Sequence, residues 1–285
     1  MVCDAENMLI VRHVVRVSLF LAILLAAWGR AYAAGQESVV SDPCAGPSAL
    51  LALIGRPTVS DSVCVVPMGR VVMEVGFQHA TSRGQGGGRT DNYPQTVLRT
   101  GLPGINEFVL IGPNYITQNS SDGDISGWSA TTLGIKHSLG YNNTCQGAVE
   151  ALFTLSSGSS AFGSRGLGYA VNGIAAYSLT DQFGLSLQVG VSSQTDPASA
   201  GGERFTSFIS NLVATWQPTA RLQFFSEIFG QSETGPGKGA GYNADGGVQY
   251  LLTPSWEVDL EGGVRLTGDL GGYTHYFGAG MGLRF

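Results

Sequence analysis

The sequence predicts an all-β chain: a transmembrane, antiparallel, up-and-down β-barrel of about twelve strands, preceded by a short N-terminal periplasmic segment. Three observations predict it. First, the chain ends on Tyr273–Phe285, YTHYFGAGMGLRF, in which apolar or ring-bearing residues at odd positions alternate with mostly small or polar ones. A strand turns successive side chains to opposite faces, and a chain that stops inside a strand must pair that strand or leave an open edge. Second, from Gly69 onward, alternating segments are joined by connections that are short and long in turn. Third, acids sit mid-strand between apolar neighbours, where only a wet lumen or solvent tolerates them.

The elements follow in order. Arg12, His13 and Arg16 precede the apolar run Val17–Ala27, and Ala31-Tyr32-Ala33 forms a small-x-small cleavage site. Residues 1–33 read as a secretory signal peptide, with Met8 as an alternative start. Its apolar run is shorter than the roughly 20 residues a membrane-spanning helix requires. Removal of Arg12, Arg16, Arg30, Asp4 and Glu6 with it leaves 12 basic and 19 acidic residues, a net charge of −7, and no basic patch for nucleic acid.

Residues 34–68 read as a periplasmic segment or a plug, with a short helix at Ser48–Ile54 and a turn at Arg56-Pro57. An exported chain meets an oxidising compartment, so Cys44 and Cys64 are expected to form a disulfide in preference to two free thiols, with Cys145 left over. No CxxC or HxxxH spacing occurs, and no metal or other cofactor is expected.

Residues 69–285 read as the barrel. The predicted strands are 70–80, 93–101, 105–116, 127–139, 146–156, 167–179, 183–193, 204–216, 221–230, 241–252, 256–267 and 273–285. The short connections are Leu179–Phe183, Trp216–Ala220 and Leu252–Trp256; the long ones are Ser82–Asn92, Thr117–Ser126, Ser156–Gly166, Gln194–Glu203 and Gln231–Ala240. An even strand number puts both mature termini on the periplasmic side of a bacterial outer membrane, with short turns inside and long loops outside. Phe285 is expected to face lipid and to act as the closure signal read by the barrel assembly machinery.

Alternation also assigns an inner face. Glu74, Lys136, Glu150, Glu227, Asp245, Glu257, Asp259, Glu261, Arg265 and Arg284 are expected to line a pore of acidic bias, with Phe225 and Phe229 beside Glu227. In the last hairpin Glu257 is expected opposite Arg284, Asp259 opposite Gly282 and Glu261 opposite Gly280, with the glycines leaving the acids free to reach water. No catalytic set emerges. His137 and Ser138 are neighbours that point to opposite faces, and Gly235–Gly239 leads into a strand instead of the helix of a phosphate loop. The chain is therefore not expected to be an enzyme.

Several stretches carry a resemblance. Cys64–Phe77 (CVVPMGRVVMEVGF), Asn92–Gln95 (NYPQ), Glu107–Tyr115 (EFVLIGPNY), Asp245–Tyr250 (DGGVQY), Val258–Gly263 (VDLEGG) and Gly278–Phe285 (GAGMGLRF) resemble the outer-membrane transporters grouped under the meta-pathway of phenol degradation. The resemblance spans most of residues 64–285 and implies passive or uncharacterised transport, with no binding residues to carry over. The function expected on these grounds is a narrow outer-membrane channel or transporter. Its partners would be lipid, the assembly machinery and a small solute the sequence does not name. The alternative is a structural or adhesive barrel that works through its long loops.

Overall fold

A computed structural model describes residues 42–82, 88–121 and 123–285. The expected signal peptide lies outside the described residues. A short helix, α1 (Ala49–Leu53), comes first, one residue shorter at each end than expected. Twelve barrel strands follow. They are β1 (Val71–Thr81), β2 (Gly88–Leu102), β3 (Asn106–Ile111 and Tyr115–Ser120), β4 (Gly123–Trp128 and Thr132–Tyr141), β5 (Cys145–Thr154) and β6 (Gly168–Ser178). The second half comprises β7 (Phe183–Thr195), β8 (Arg204–Thr219), β9 (Leu222–Gln231), β10 (Gly241–Thr253), β11 (Trp256–Thr267) and β12 (His275–Arg284).

Each strand pairs antiparallel with its neighbours in sequence, and β1 pairs with β12 from Val72↔Arg284 to Thr81↔His275, which closes the barrel. Val71 and Phe285 exchange backbone hydrogen bonds across the seam, so the last residue is part of the closure. No sheet edge remains along the seam to recruit another chain. The bounds of β6, β7 and β9 to β11 fall close to those predicted, because these strands alternate cleanly.

Two expected loops differ. The sequence places a connection at Ser82–Asn92, yet β2 begins at Gly88, and its first residues pair with Tyr115–Ser120. It places another at Thr117–Ser126, yet Tyr115–Ser120 pairs with Gly123–Trp128 as a hairpin. Both β3 and β4 are interrupted at the same height. Asn114 and Ser129 bridge the gap there: the Ser129 N–H donates to the Asn114 carbonyl, and the Asn114 N–H donates to Ser129 Oγ. Polar loop-like residues are compatible with these strands because the hairpin's own ladder satisfies their backbones.

The outer face carries the apolar residues. Phe183, Trp216 and Phe224 stack on one another near the short connections, with ring centroids 6.0 and 5.4 Å apart. Tyr93, Tyr115 and Trp128 form a second file, with centroids 6.0 and 5.1 Å apart. Exposed Val171, Leu212, Ile228 and Leu260 lie on the outer faces of the strands. This is the surface of a barrel in lipid, with aromatic files flanking apolar side chains.

The apolar core is inside the barrel, at the short-connection end. Leu50, Leu53 and Ile54 of the N-terminal segment pack with Val66, Val72 and Leu251. The segment thus buries its own apolar face against the inner wall and does not hang free of the barrel.

Candidate functional site

The candidate site is the barrel interior where residues 42–68 meet the strands. Backbone without regular structure is tolerable in such a place only if each N–H and C=O finds a partner. Here the wall supplies them. Glu74 accepts from the backbone N–H of Gly55 (3.1 Å) and Arg56 (2.8 Å). Glu227 accepts from Val59 (2.7 Å) and Ser60 (2.8 Å), and Gln188 Oε1 accepts from the Asp61 N–H at 2.7 Å. Glu107 accepts from Val66 at 2.6 Å, Gln249 Nε2 donates to the Arg56 carbonyl at 2.9 Å, and Lys136 Nζ donates to the Ser62 carbonyl at 3.0 Å.

The segment therefore enters at the short-connection end, reaches its tip at Val59–Asp61 and returns. Cys44 and Cys64 close its base with the expected disulfide, across a sequence separation of 20. In the chain-entropy account a loop of that length gains about 3 kcal/mol from the cross-link. Ser48 Oγ adds a hydrogen bond to the Ala220 carbonyl in a short turn, at 2.7 Å. Cys145 is unpaired, and its side chain is half-buried.

Part of the interior charge is paired in one cluster. The Arg99 guanidinium contacts three carboxylates: Glu74 at 2.7 Å, Asp61 at 3.0 Å and Glu107 at 3.1 Å. Lys136 lies 3.5 Å from Glu107, and both side chains are fully buried. Buried ions are tolerable only when paired and hydrogen-bonded, and this cluster satisfies both conditions. Burial works against the Asp61 charge, but the nearby Arg99 and Lys136 cations more than offset it and hold its carboxyl below its ordinary value.

Arg56 is the second charge centre. Its Nη2 lies 3.2 Å from Asp259 and 3.6 Å from Glu261, and its Nη1 donates to Gln95 at 2.6 Å. The guanidinium fits because two inner-wall positions have no side chain. A Cβ at Gly76 would meet the guanidinium carbon at 2.2 Å, and one at Gly280 would meet Arg56 Nε at 2.4 Å.

The sequence-predicted site residues all face inward. Of these, Glu74, Lys136, Glu227, Asp259 and Glu261 meet the segment directly, whereas Glu150 accepts from Asn172 Nδ2 at 3.3 Å. Asp245 instead accepts a 2.5 Å hydrogen bond from the Tyr276 hydroxyl. Arg265 pairs with Asp269 at 2.8 Å near the connection before β12, and Arg284 lies at the opposite end, level with Val72.

The expected pairing of the last hairpin is corrected by two residues. Glu257 lies opposite Gly282, Asp259 opposite Gly280 and Glu261 opposite Gly278. A two-residue shift keeps every side chain on its face, which is why the alternation did not reveal it. The expectation that these acids reach water is also corrected: Glu257 is 0 %, Asp259 3 % and Glu261 9 % exposed. The room left by the glycines is occupied by Arg56, Ile54 and the carboxylates themselves.

Sequence reasoning missed Arg56, Arg99, Glu107, Gln188 and Gln249 as interior contacts. A signal for two of them was present. Val97, Arg99 and Gly101 alternate with Leu98, Thr100 and Leu102, and Glu107 alternates into Val109. The proline and polar residues beside them obscured it.

Two cavities adjoin the segment, and Asp61 borders both. One, of about 370 Å³, lies on the long-connection side of the tip; the other, of about 200 Å³, lies on the short-connection side.

Comparison with known proteins bears on the fold and the family. A solved structure of the KdgM porin in complex with disordered oligogalacturonate is similar with a TM-score of 0.50 at 10% identity, over 74% of this chain and 99% of that one. The NanC porin gives a TM-score of 0.49 at 11% identity, over 75% of this chain and 98% of that one. The fold is that of outer-membrane porin barrels. No curated protein matches the chain at a significant level. A family model described as "Putative MetA-pathway of phenol degradation" matches residues 54–285, from within the interior segment to the closing residue, and the chain belongs to that family.

Proposed function

We propose that the protein is an outer-membrane channel for small molecules, narrowed by residues 42–68 docked inside the barrel. The observation that carries this reading is the pair of cavities, one on each side of the Val59–Asp61 tip within a closed barrel. Eight strands fill with side chains, whereas sixteen or more leave an open channel. Twelve strands leave an intermediate space, and the segment takes up much of it.

In this reading the pore-lining acids have two roles. With the segment docked, Glu74, Glu227, Asp259 and Glu261 hold it. With the segment withdrawn, the same carboxylates face water and give the lumen its acidic bias. The long connections lie outside the cell, and the short ones, with the disulfide and Phe285, lie in the periplasm. The barrel interior offers solute-sized space and, among the described residues, no nucleophile–base pair, which supports transport over catalysis.

Liposome swelling tests the proposal. Purified protein in liposomes should admit a small uncharged sugar such as arabinose and should exclude larger oligosaccharides. Liposomes that stay as tight as protein-free ones to every solute would favour a barrel that acts through its loops.

A further inference from the structure

The interior is divided by charge. The inward acids and bases lie on β1 to β5 and β9 to β12, and several of them hold the segment. No strand-borne carboxylate lines either cavity. The larger cavity is walled by β5 to β9 and covered by the connection at 270–273. Its polar side chains include the amides of Asn172 and Asn211, and its apolar ones include Leu152, Ile209 and Phe229. Asp61 is its one carboxylate, and that group is paired with Arg99 at 3.0 Å. Tyr273 stays neutral: burial first, and the nearby Asp245 charge second, push its phenol well up from the ordinary value.

Asn172 adds an unmet group. It is 2 % exposed, its Nδ2 donates to Glu150 at 3.3 Å, and its buried Oδ1 has no partner. Gly190 opposite it has no side chain, and Oδ1 lies where one would stand. A buried acceptor without a donor is costly, and a guest hydroxyl reached by a small turn of the amide would satisfy it. Ligand sites are typically concave, mostly apolar and supplied with a few polar groups, at volumes of roughly 300–1,000 Å³. This cavity, at about 370 Å³, has that character.

We infer that the larger cavity is a binding site for uncharged small molecules that carry a hydrogen-bond donor on an apolar body, with Asn172 as the residue that selects the donor. The inference rests on the channel reading only in making the cavity a station on the solute's path.

The test is a saturation-transfer NMR titration of the full protein in nanodiscs, with empty discs as the blank. The probes are cyclohexanol, cyclohexylammonium, cyclohexanecarboxylate and methylcyclohexane. Cyclohexanol should bind saturably and at least about tenfold more tightly than either ion, since the wall has no free counter-charge to offset desolvation. It should also bind about fivefold more tightly than methylcyclohexane, which lacks the donor. Asn172→Leu should remove that fivefold advantage, and Gln223→Leu in the smaller cavity should not. Charged probes that bind as well as cyclohexanol, or cyclohexanol that never saturates, would overturn the site. If Asn172→Leu does not fold, the comparison of cyclohexanol with methylcyclohexane on the unaltered protein still decides the role of the donor. Arabinose swelling reads the channel separately. Saturable binding without swelling would overturn the channel and leave the site standing; swelling without saturable binding would do the reverse.

Discussion

Arg56 Nη2 lies 3.2 Å from Asp259 Oδ1, and this contact joins the interior segment to a strand 203 residues later in the chain. It depends on two glycines, Gly76 and Gly280, whose missing side chains leave the guanidinium its place. The segment is thus held by charge and by shape together, and each can be removed on its own.

Shape is tested by Gly280→Val. Its side chain would collide with Arg56 and Asp259, and overpacking of a filled interior typically costs about 1–3 kcal/mol. The barrel should still form, because the ladder is intact. The segment should become sensitive to endoproteinase Asp-N at Asp61 in the folded, heat-modifiable protein. Resistance equal to that of the unaltered protein would mean that the glycine is not needed for docking.

Charge is tested at Arg99. Its removal leaves Glu74, Glu107 and Asp61 without their shared cation, and the loss of one partner from a buried charge cluster typically costs about 3–5 kcal/mol. Arg99→Leu should lower the temperature of the gel-mobility transition markedly. Arg99→Lys should lower it less, since a lysine restores the charge but not three simultaneous contacts. Equal, small effects of both would argue that the cluster is dispensable.

The barrel was legible in the sequence and its contents were not. Strands such as β7 and β11 alternate strictly, so Phe183 and Trp256 mark their starts within a residue. Such regularity arises because lipid faces one side of every strand. The interior segment has no such period. Its partners are backbone N–H groups reached by Glu74, Glu227 and Gln188, and backbone amides leave no mark in a sequence. The acids on the inner wall were seen, but their partners were assumed to be water. The excess of inward carboxylates over inward bases was the available hint that something else, here Arg56 and the amides of residues 55–61, would meet them.

The disulfide gives a third prediction. Double substitution Cys44→Ser and Cys64→Ser should leave the barrel folded and should make residues 45–63 more accessible to protease, because the base of the loop opens. The cross-linked peptide pair should appear in the non-reduced protein by mass spectrometry. Quantitative labelling of both thiols without reductant would contradict the bond.

Closure gives a fourth. Deletion of Phe285 removes the residue that exchanges backbone hydrogen bonds with Val71 at the seam. The folded, heat-modifiable form in outer-membrane fractions should fall several-fold. An unchanged yield would show that neither the seam nor the assembly machinery requires it.

The most direct test of the central claim is single-channel conductance in planar bilayers, with the unaltered protein and Arg56→Ala compared under a salt gradient. If the docked segment narrows a channel, the unaltered protein gives small, discrete steps. Arg56→Ala gives larger steps with a stronger cation preference, because Asp259 and Glu261 lose their counter-charge and turn to water. Identical conductance and selectivity in the two proteins, or no steps in either, would contradict the account.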